Sequence, residues 1–288
     1  MWNTVLDAFV DSLIAAPFLL AIYLLIEFLE GNERAKQKTV KLLNGKLAPL
    51  VAGGVGLVPQ CGFSVMATDL YCQNYLKVGT LIAFFVATSD EALPILLTNK
   101  NTIGVVWIVL LVKVVYAVAL GYLINLFDRR QLATDYELKD DEGCCHHEIA
   151  EHKKFWNFVK HPLLHTLKIF VYIFVINAIF GLILYFAEQP ILDFCASIGF
   201  AQSFITAAIG LLPNCASSVI ISGMYADGII ALPAMLAGLV SNSGIALAIL
   251  FKEHKQWKRN LLILAIMYLA GVILGVATYF IMVAANIL

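Results

Sequence analysis

Residues 56–65 read G-L-V-P-Q-C-G-F-S-V, and residues 210–219 read G-L-L-P-N-C-A-S-S-V. Proline lacks a backbone donor and cannot continue a helix, yet both stretches sit in strongly apolar sequence. A shift of 154 residues lays Pro59 on Pro213, Cys61 on Cys215, Ser64 on Ser218 and Tyr71 on Tyr225. The same shift, without a gap, lays Ala83, Val86, Ser89, Ala92 and Leu93 on Ala237, Val240, Ser243, Ala246 and Leu247. Two separate matches at one offset mark an internal duplication.

The surroundings explain where such a repeat can live. Of 288 residues, 61% are hydrophobic and 14% charged, against about half and about a quarter in a soluble domain. The chain therefore reads as an integral membrane protein. A net charge of -1 with no basic stripe points away from nucleic acid, and six cysteines in no regular ladder do not describe a disulfide scaffold. The start, M-W-N-T-V-L-D, has no basic region, and the apolar run behind it is long enough to span, which argues against a secretory signal.

Apolar spans are expected at 5–28, 78–97, 103–127, 163–186, 229–251 and 261–283, with a hydrophilic stretch at 128–161. Between the first two lie two pieces, 45–58 and 60–71, that meet at Pro59 and are each too short to cross alone. Similar pieces flank Pro213. Lysine and arginine collect in short cytoplasmic loops. The segment after the first span holds Arg34, Lys36, Lys38, Lys41 and Lys46, while its counterpart at 187–203 has no basic residue. Conversely 98–102 holds only Lys100, where the counterpart has Lys252, Lys255, Lys258 and Arg259. The halves are thus expected to face opposite ways.

The expected fold is an all-α polytopic membrane protein of two inverted-topology repeats. Each repeat has three full spans plus a re-entrant helical hairpin, ten helical segments in all. Residues 1–127 form the first repeat, 128–161 a cytoplasmic loop, and 162–288 the second repeat, with both termini outside.

Non-helical backbone at membrane depth survives only where protein buries it or where it lines a cavity. Behind each proline a new helix begins at Gln60 or Asn214, and its free N–H groups carry partial positive charge. A cysteine there has its thiolate favoured, and thiolates bind soft metals. Inverted repeats with interrupted helices are a recurring plan of secondary transporters. Pro59, Gln60, Cys61 and Ser64 with Pro213, Asn214, Cys215 and Ser218 are therefore the expected two sides of one substrate site. Two bland readings stand beside this one: buried cysteine is often only a small hydrophobe, and positive helix starts suit anions equally well.

The second repeated region is A-T-S-D-E-A-L-P at 87–94 and V-S-N-S-G-I-A-L at 240–247. Asp90 and Glu91 fall near the middle of an expected span, where a carboxylate is costly. They read as a cation ligand, a proton carrier, or hydrogen-bonded acids bracing the bundle. Gly244 and Ile245 replace them in the second half, so coupling would be asymmetric, with Ser89, Ser241, Asn242 and Ser243 offering neutral oxygens. Asp69, nearer the cytoplasmic end, is a weaker candidate. Lys113, in an otherwise apolar span, either snorkels or pairs with an acid.

The loop carries D-D-E-G-C-C-H-H-E-I-A-E-H. Cys144, Cys145, His146, His147 and His152 could chelate a divalent cation, although no standard zinc spacing is present and a solvated linker reads equally well. Cys72 and Cys195 read as ordinary membrane-end cysteines. The absence of a Walker A loop, G-x-S-x-G and H-E-x-x-H disfavours an ATP-driven pump or hydrolase; an intramembrane enzyme using Cys61 or Asp90 is the remaining enzymatic reading.

Through G-L-V-P-Q-C-G-F-S, A-T-S-D-E-A-L-P and G-L-L-P-N-C-A-S-S, in that order and over nearly the whole chain, the sequence resembles the ArsP-like ten-helix heavy-metal exporter family. Some members of that family are labelled manganese transporters. The resemblance implies a prokaryotic inner-membrane permease that exports a metal or metalloid; separately, no cofactor is expected. Manganese prefers carboxylates, so Asp90 with Glu91 would serve it; As(III), zinc and Cu(I) suit the thiolates Cys61 and Cys215. A carrier of small anions and a metal-sensing receptor built on the loop are the alternatives. The bilayer is the one certain partner, and a homo-oligomer stays open.

Overall fold

A computed structural model describes residues 45, 47–57, 61–88, 92–98, 102–128, 171, 175, 201–214, 216–252 and 257–285, with backbone only at 61, 62, 94 and 98. Within them all regular structure is helical. The first half holds α1 (Ala48–Val55), α2 (Cys61–Cys72), α3 (Val78–Ala87), α4 (Ala92–Thr98) and α5 (Ile103–Phe127). The second holds α6 (Gln202–Gly210), α7 (Ala216–Ala226), α8 (Leu232–Ser241), α9 (Ala246–Lys252) and α10 (Trp257–Ala284).

The two series keep the sequence register. α3 and α8 start and stop at positions 154 apart, and so do α4 and α9. Their starts are set by equivalent means. Each lacks a side-chain cap of its own and takes one from another element. Asp128 accepts from the Val78 N–H at 3.1 Å, and Gln202 Oε1 accepts from the Ala231 N–H at 3.2 Å. Proline in the first turn of α1 and α8 costs nothing there, because those N–H groups have no helical partner.

Packing follows the same twofold scheme. α1, α3 and α5 pack on one another, as do α6, α8 and α10. α2 packs against α9 and α7 against α4, each across the two halves, while α3 touches α8 along the seam. Close approach needs small residues. A Cβ on Gly121 would lie 2.9 Å from Ala83 Cβ, and one on Gly275 would lie 2.7 Å from Ala237 Cβ. Without a hydrophobic force between helices in lipid, such backbone approach is what drives their association.

α5 and α10 are the long outer elements. Trp107, Leu111, Leu126, Leu262, Ile273 and Phe280 on them are exposed, a surface suited to acyl chains. Three described stretches are long and apolar enough to cross a membrane: Ile103–Phe127, Leu232–Lys252 and Trp257–Ala284.

Within the expected spans at 78–97 and 229–251 the helix is interrupted. α3 stops at Ala87, with Thr88 extended at ψ 131°, and α4 resumes at Ala92. α8 stops at Ser241, with Asn242 at ψ 122°, and Gly244 turns the chain at φ +55°. Hydropathy reads such a segment as unbroken because the residues on both sides are apolar. The break is made by Asn242, whose Oδ1 accepts from the Gly244 N–H at 2.9 Å, a local turn that competes with the helix.

Candidate functional site: hairpin tips and helix breaks

The chain at the C-terminal ends of α1 and α6 is pressed in each case against the end of an interrupted helix. A Cβ on Gly56, after α1, would lie 2.7 Å from Ala87 Cβ and 3.1 Å from the Phe84 carbonyl in the last turn of α3. A Cβ on Gly210, at the end of α6, would run into the Gly238 carbonyl and come within 2.5 Å of Ser241 Oγ in the last turn of α8. Glycine at these two places lets tip and break meet. Ser241 Oγ ties the second pair by donating to Ala207 O at 2.8 Å.

The second tip can be followed through its turn. The N–H groups of Leu211 and Leu212 close back on Ala208 O and Ile209 O at 3.2 and 3.1 Å, and the Asn214 N–H reaches Leu212 O at 2.7 Å. Pro213 then blocks helical continuation. Asn214 starts α7 from its side chain, accepting at Oδ1 from the Ala216 N–H at 3.1 Å. Ser217 Oγ donates to Asn214 O at 2.8 Å.

That cap fixes the amide's orientation. With Oδ1 committed, Nδ2 is the free end of Asn214, and it has no partner although the residue is only 2% exposed. One helical turn past Ser218, Ser222 also keeps an unpartnered buried hydroxyl. Leaving such groups unsatisfied costs about 1–3 kcal/mol each, which makes these two candidates for contact with a bound species. Ser64 and Thr68 are the buried polar residues at the corresponding positions of α2, with Thr68 Oγ1 donating to Ser64 O at 2.9 Å. Asn242 and Ser243, at the second break, are buried too.

Lys113 was open at the sequence level between snorkelling and pairing with an acid, and its burial excludes the first. The side chain is fully buried and does not snorkel. Its Nζ donates to the Thr88 carbonyl at the first break and to the Leu239 carbonyl in the last turn of α8 at 3.0 Å. One turn along α5, Tyr116 donates to Ala270 O at 2.8 Å, a position 154 residues away and thus its own repeat equivalent. α5 thereby links the two halves along their seam. Ser217, Ser222 and Lys113 were missed as site residues; the recurrence of small hydroxyls through 217, 218 and 222 was the available signal for the first two.

Of the expected site residues, Ser64, Pro213, Asn214, Ser218, Asn242 and Ser243 lie in or beside these tips and breaks. Pro59, Gln60, Ser89, Asp90, Glu91, Cys215 and the cluster at 144–152 lie outside the described residues, as does the Cys61 side chain. Among the described residues no three His, Cys, Asp or Glu side chains gather to hold a metal. Cys72 is buried and in no disulfide.

Taken together, long apolar outer helices around short interrupted inner ones define a multi-pass helical membrane protein with polar groups stored at its core. The chain belongs to the ArsP_2 family, described as "Putative, 10TM heavy-metal exporter", whose family model matches residues 1–162 and again 135–282, two repeats. No curated protein and no solved structure matches it.

Proposed function

We propose that the protein is a secondary-active exporter of a heavy-metal or metalloid ion, working by alternating access between two inverted repeats. Substrate is held between the tips 59–64 and 213–218, with Cys61 and Cys215 as soft ligands. Asp90 or Glu91 takes part in proton or cation exchange. The protein sits in the inner membrane, termini outside and the 128–161 loop in the cytoplasm. The observation that carries this reading is the meeting of each hairpin tip with a helix break, Gly56 at Phe84 and Ala87, Gly210 at Gly238 and Ser241. Interrupted helices at the repeat interface are where such transporters bind substrate, and the family description supplies the class of ion.

The test is flux of manganese, iron, zinc, cobalt, cadmium and arsenite in proteoliposomes under a pH gradient, comparing the parent with Cys61→Ser, Cys215→Ser. Soft-ion flux that disappears in the double variant supports the thiol site. Manganese flux that survives moves the site to Asp90 and Glu91. Absence of any metal flux from folded protein overturns the exporter.

One observation favours a second reading, a carrier of small anions. The free end of Asn214 is a donor, and a donor at the start of α7 suits an oxygen-bearing anion better than a bare cation. That carrier would tolerate both Cys→Ser changes and fail when Asn214 is made bulky.

A further inference from the structure

We infer that the carbonyls of Thr88 and Leu239 form a monovalent-cation site at the seam between the two halves, filled in this protein by the Lys113 ammonium as a tethered cation.

Helix interruption creates the site. In α8 the last ordinary helical bond runs from the Asn242 N–H to Gly238 O; the next carbonyl, Leu239 O, is left without an N–H from position 243 in helical register. In α3 the Thr88 N–H closes on Phe84 O, and the Thr88 carbonyl leaves the helix with the extended ψ of its residue. Such terminal carbonyls lack intrahelical partners and carry the negative end of the helix dipole. Two of them, one from each half, meet at a single point, and Lys113 Nζ donates to both. In secondary transporters the carbonyl ends of unwound helices are where a coupling cation is coordinated.

The arrangement is one-sided. Under the 154-residue shift Lys113 corresponds to Met267, which is fully buried and apolar. Thr88 corresponds to Asn242, whose side chain closes a turn onto Gly244. Asn242 therefore closes a local turn at the second break, while the charge on α5 reaches one terminal carbonyl of each half. A cation supplied by the chain removes the need for one from solution. The consequence for coupling rests on the exporter reading; the binding consequence does not.

The experiment removes the tether and offers a free cation. Lys113→Ala retains Cβ and omits a fragment the size of propylammonium. The thermal midpoint of purified Lys113→Ala in detergent should lie below the parent's and rise saturably with propylammonium or sodium chloride. Tetramethylammonium, which has no N–H, should leave it unmoved, and the parent and Lys113→Met should not respond to any of the three. A folded Lys113→Ala that responds to neither propylammonium nor sodium overturns the site. If that variant does not fold, Lys113→Gln decides: it keeps N–H donors without charge, and a parent-like midpoint would show that no cation is required. In proteoliposomes, metal flux by the parent should be independent of sodium; sodium-dependent flux would overturn the assignment of Lys113 as the resident cation. A protein that carries no metal yet shows the midpoint shift would sink the exporter and leave the cation site standing.

Discussion

Replacing Asn214 by Asp separates the two substrate readings with one atom. The carboxylate preserves the acceptor that caps the Ala216 N–H, and Asp and Asn are equivalent caps. The start of α7 also favours negative charge, which offsets part of the cost of burying it. What changes is the free end: the unpartnered Nδ2 donor becomes an oxygen. A hydrogen bond to a charged group is worth about 1.5–3 kcal/mol, and 1.4 kcal/mol is tenfold in affinity. If the substrate presents an oxygen to Asn214, as an oxyanion or hydroxylated metalloid, its KM for flux should rise by about 10- to 150-fold. If the substrate is a bare metal cation, the added carboxylate should lower KM instead. The assay is initial-rate flux in proteoliposomes across substrate concentration, with folding checked by size-exclusion profile. Unchanged KM for every substrate that the parent carries would refute the placement of Asn214 at the substrate.

Three further outcomes are expected. Gly275→Val should destabilise the solubilised protein by about 1–3 kcal/mol, the usual cost of overpacking, because its Cβ alone would lie 2.7 Å from Ala237 Cβ and 2.8 Å from Ser203 Oγ; a thermal midpoint equal to the parent's would contradict the close approach. Tyr116→Phe removes the cross-half bond to Ala270 O and should cost about 0.5–1.5 kcal/mol in the same measurement, with rings otherwise isosteric. Deletion of 144–152 should leave metal flux intact in vesicles if the loop is accessory, whereas loss of a metal response with no flux in the parent would point to a sensor.

Much of the architecture could be read before any coordinates. The offset of 154 residues carries over from matched letters to matched helix ends, 78–87 on 232–241 and 92–98 on 246–252, because a duplicated backbone keeps its register when its surface residues drift. The turn at Pro213 was legible because proline has few uses inside an apolar run; Pro59 lies outside the described residues. The breaks were harder. S-N-S-G at 241–244 is a turn composition, but the flanking residues are uniformly apolar, and hydropathy averages over the interruption. Lys113 could not be read at all. Two of its partners are backbone carbonyls, which every residue type supplies alike, so no letter in the sequence marks those two.

The contrast in helix length has a mechanical consequence. At 1.5 Å per residue, α5 with 25 residues and α10 with 28 extend ~38 and ~42 Å, beyond a hydrocarbon slab of about 30 Å. Such helices accommodate a membrane by tilting. The inner α3, α4, α8 and α9 are only 7–10 residues long and lie almost wholly within protein, so lipid cannot stretch or compress them directly. Among the described residues, bilayer thickness reaches the broken helices through the outer helices packed on them, α5 on α3 and α10 on α8, and the bonds of Lys113 and Tyr116 carry α5 across to the other half. A thinner membrane that leans α5 over thus pulls on the seam, and in a transporter of the proposed kind that pull would make the rate depend on lipid composition.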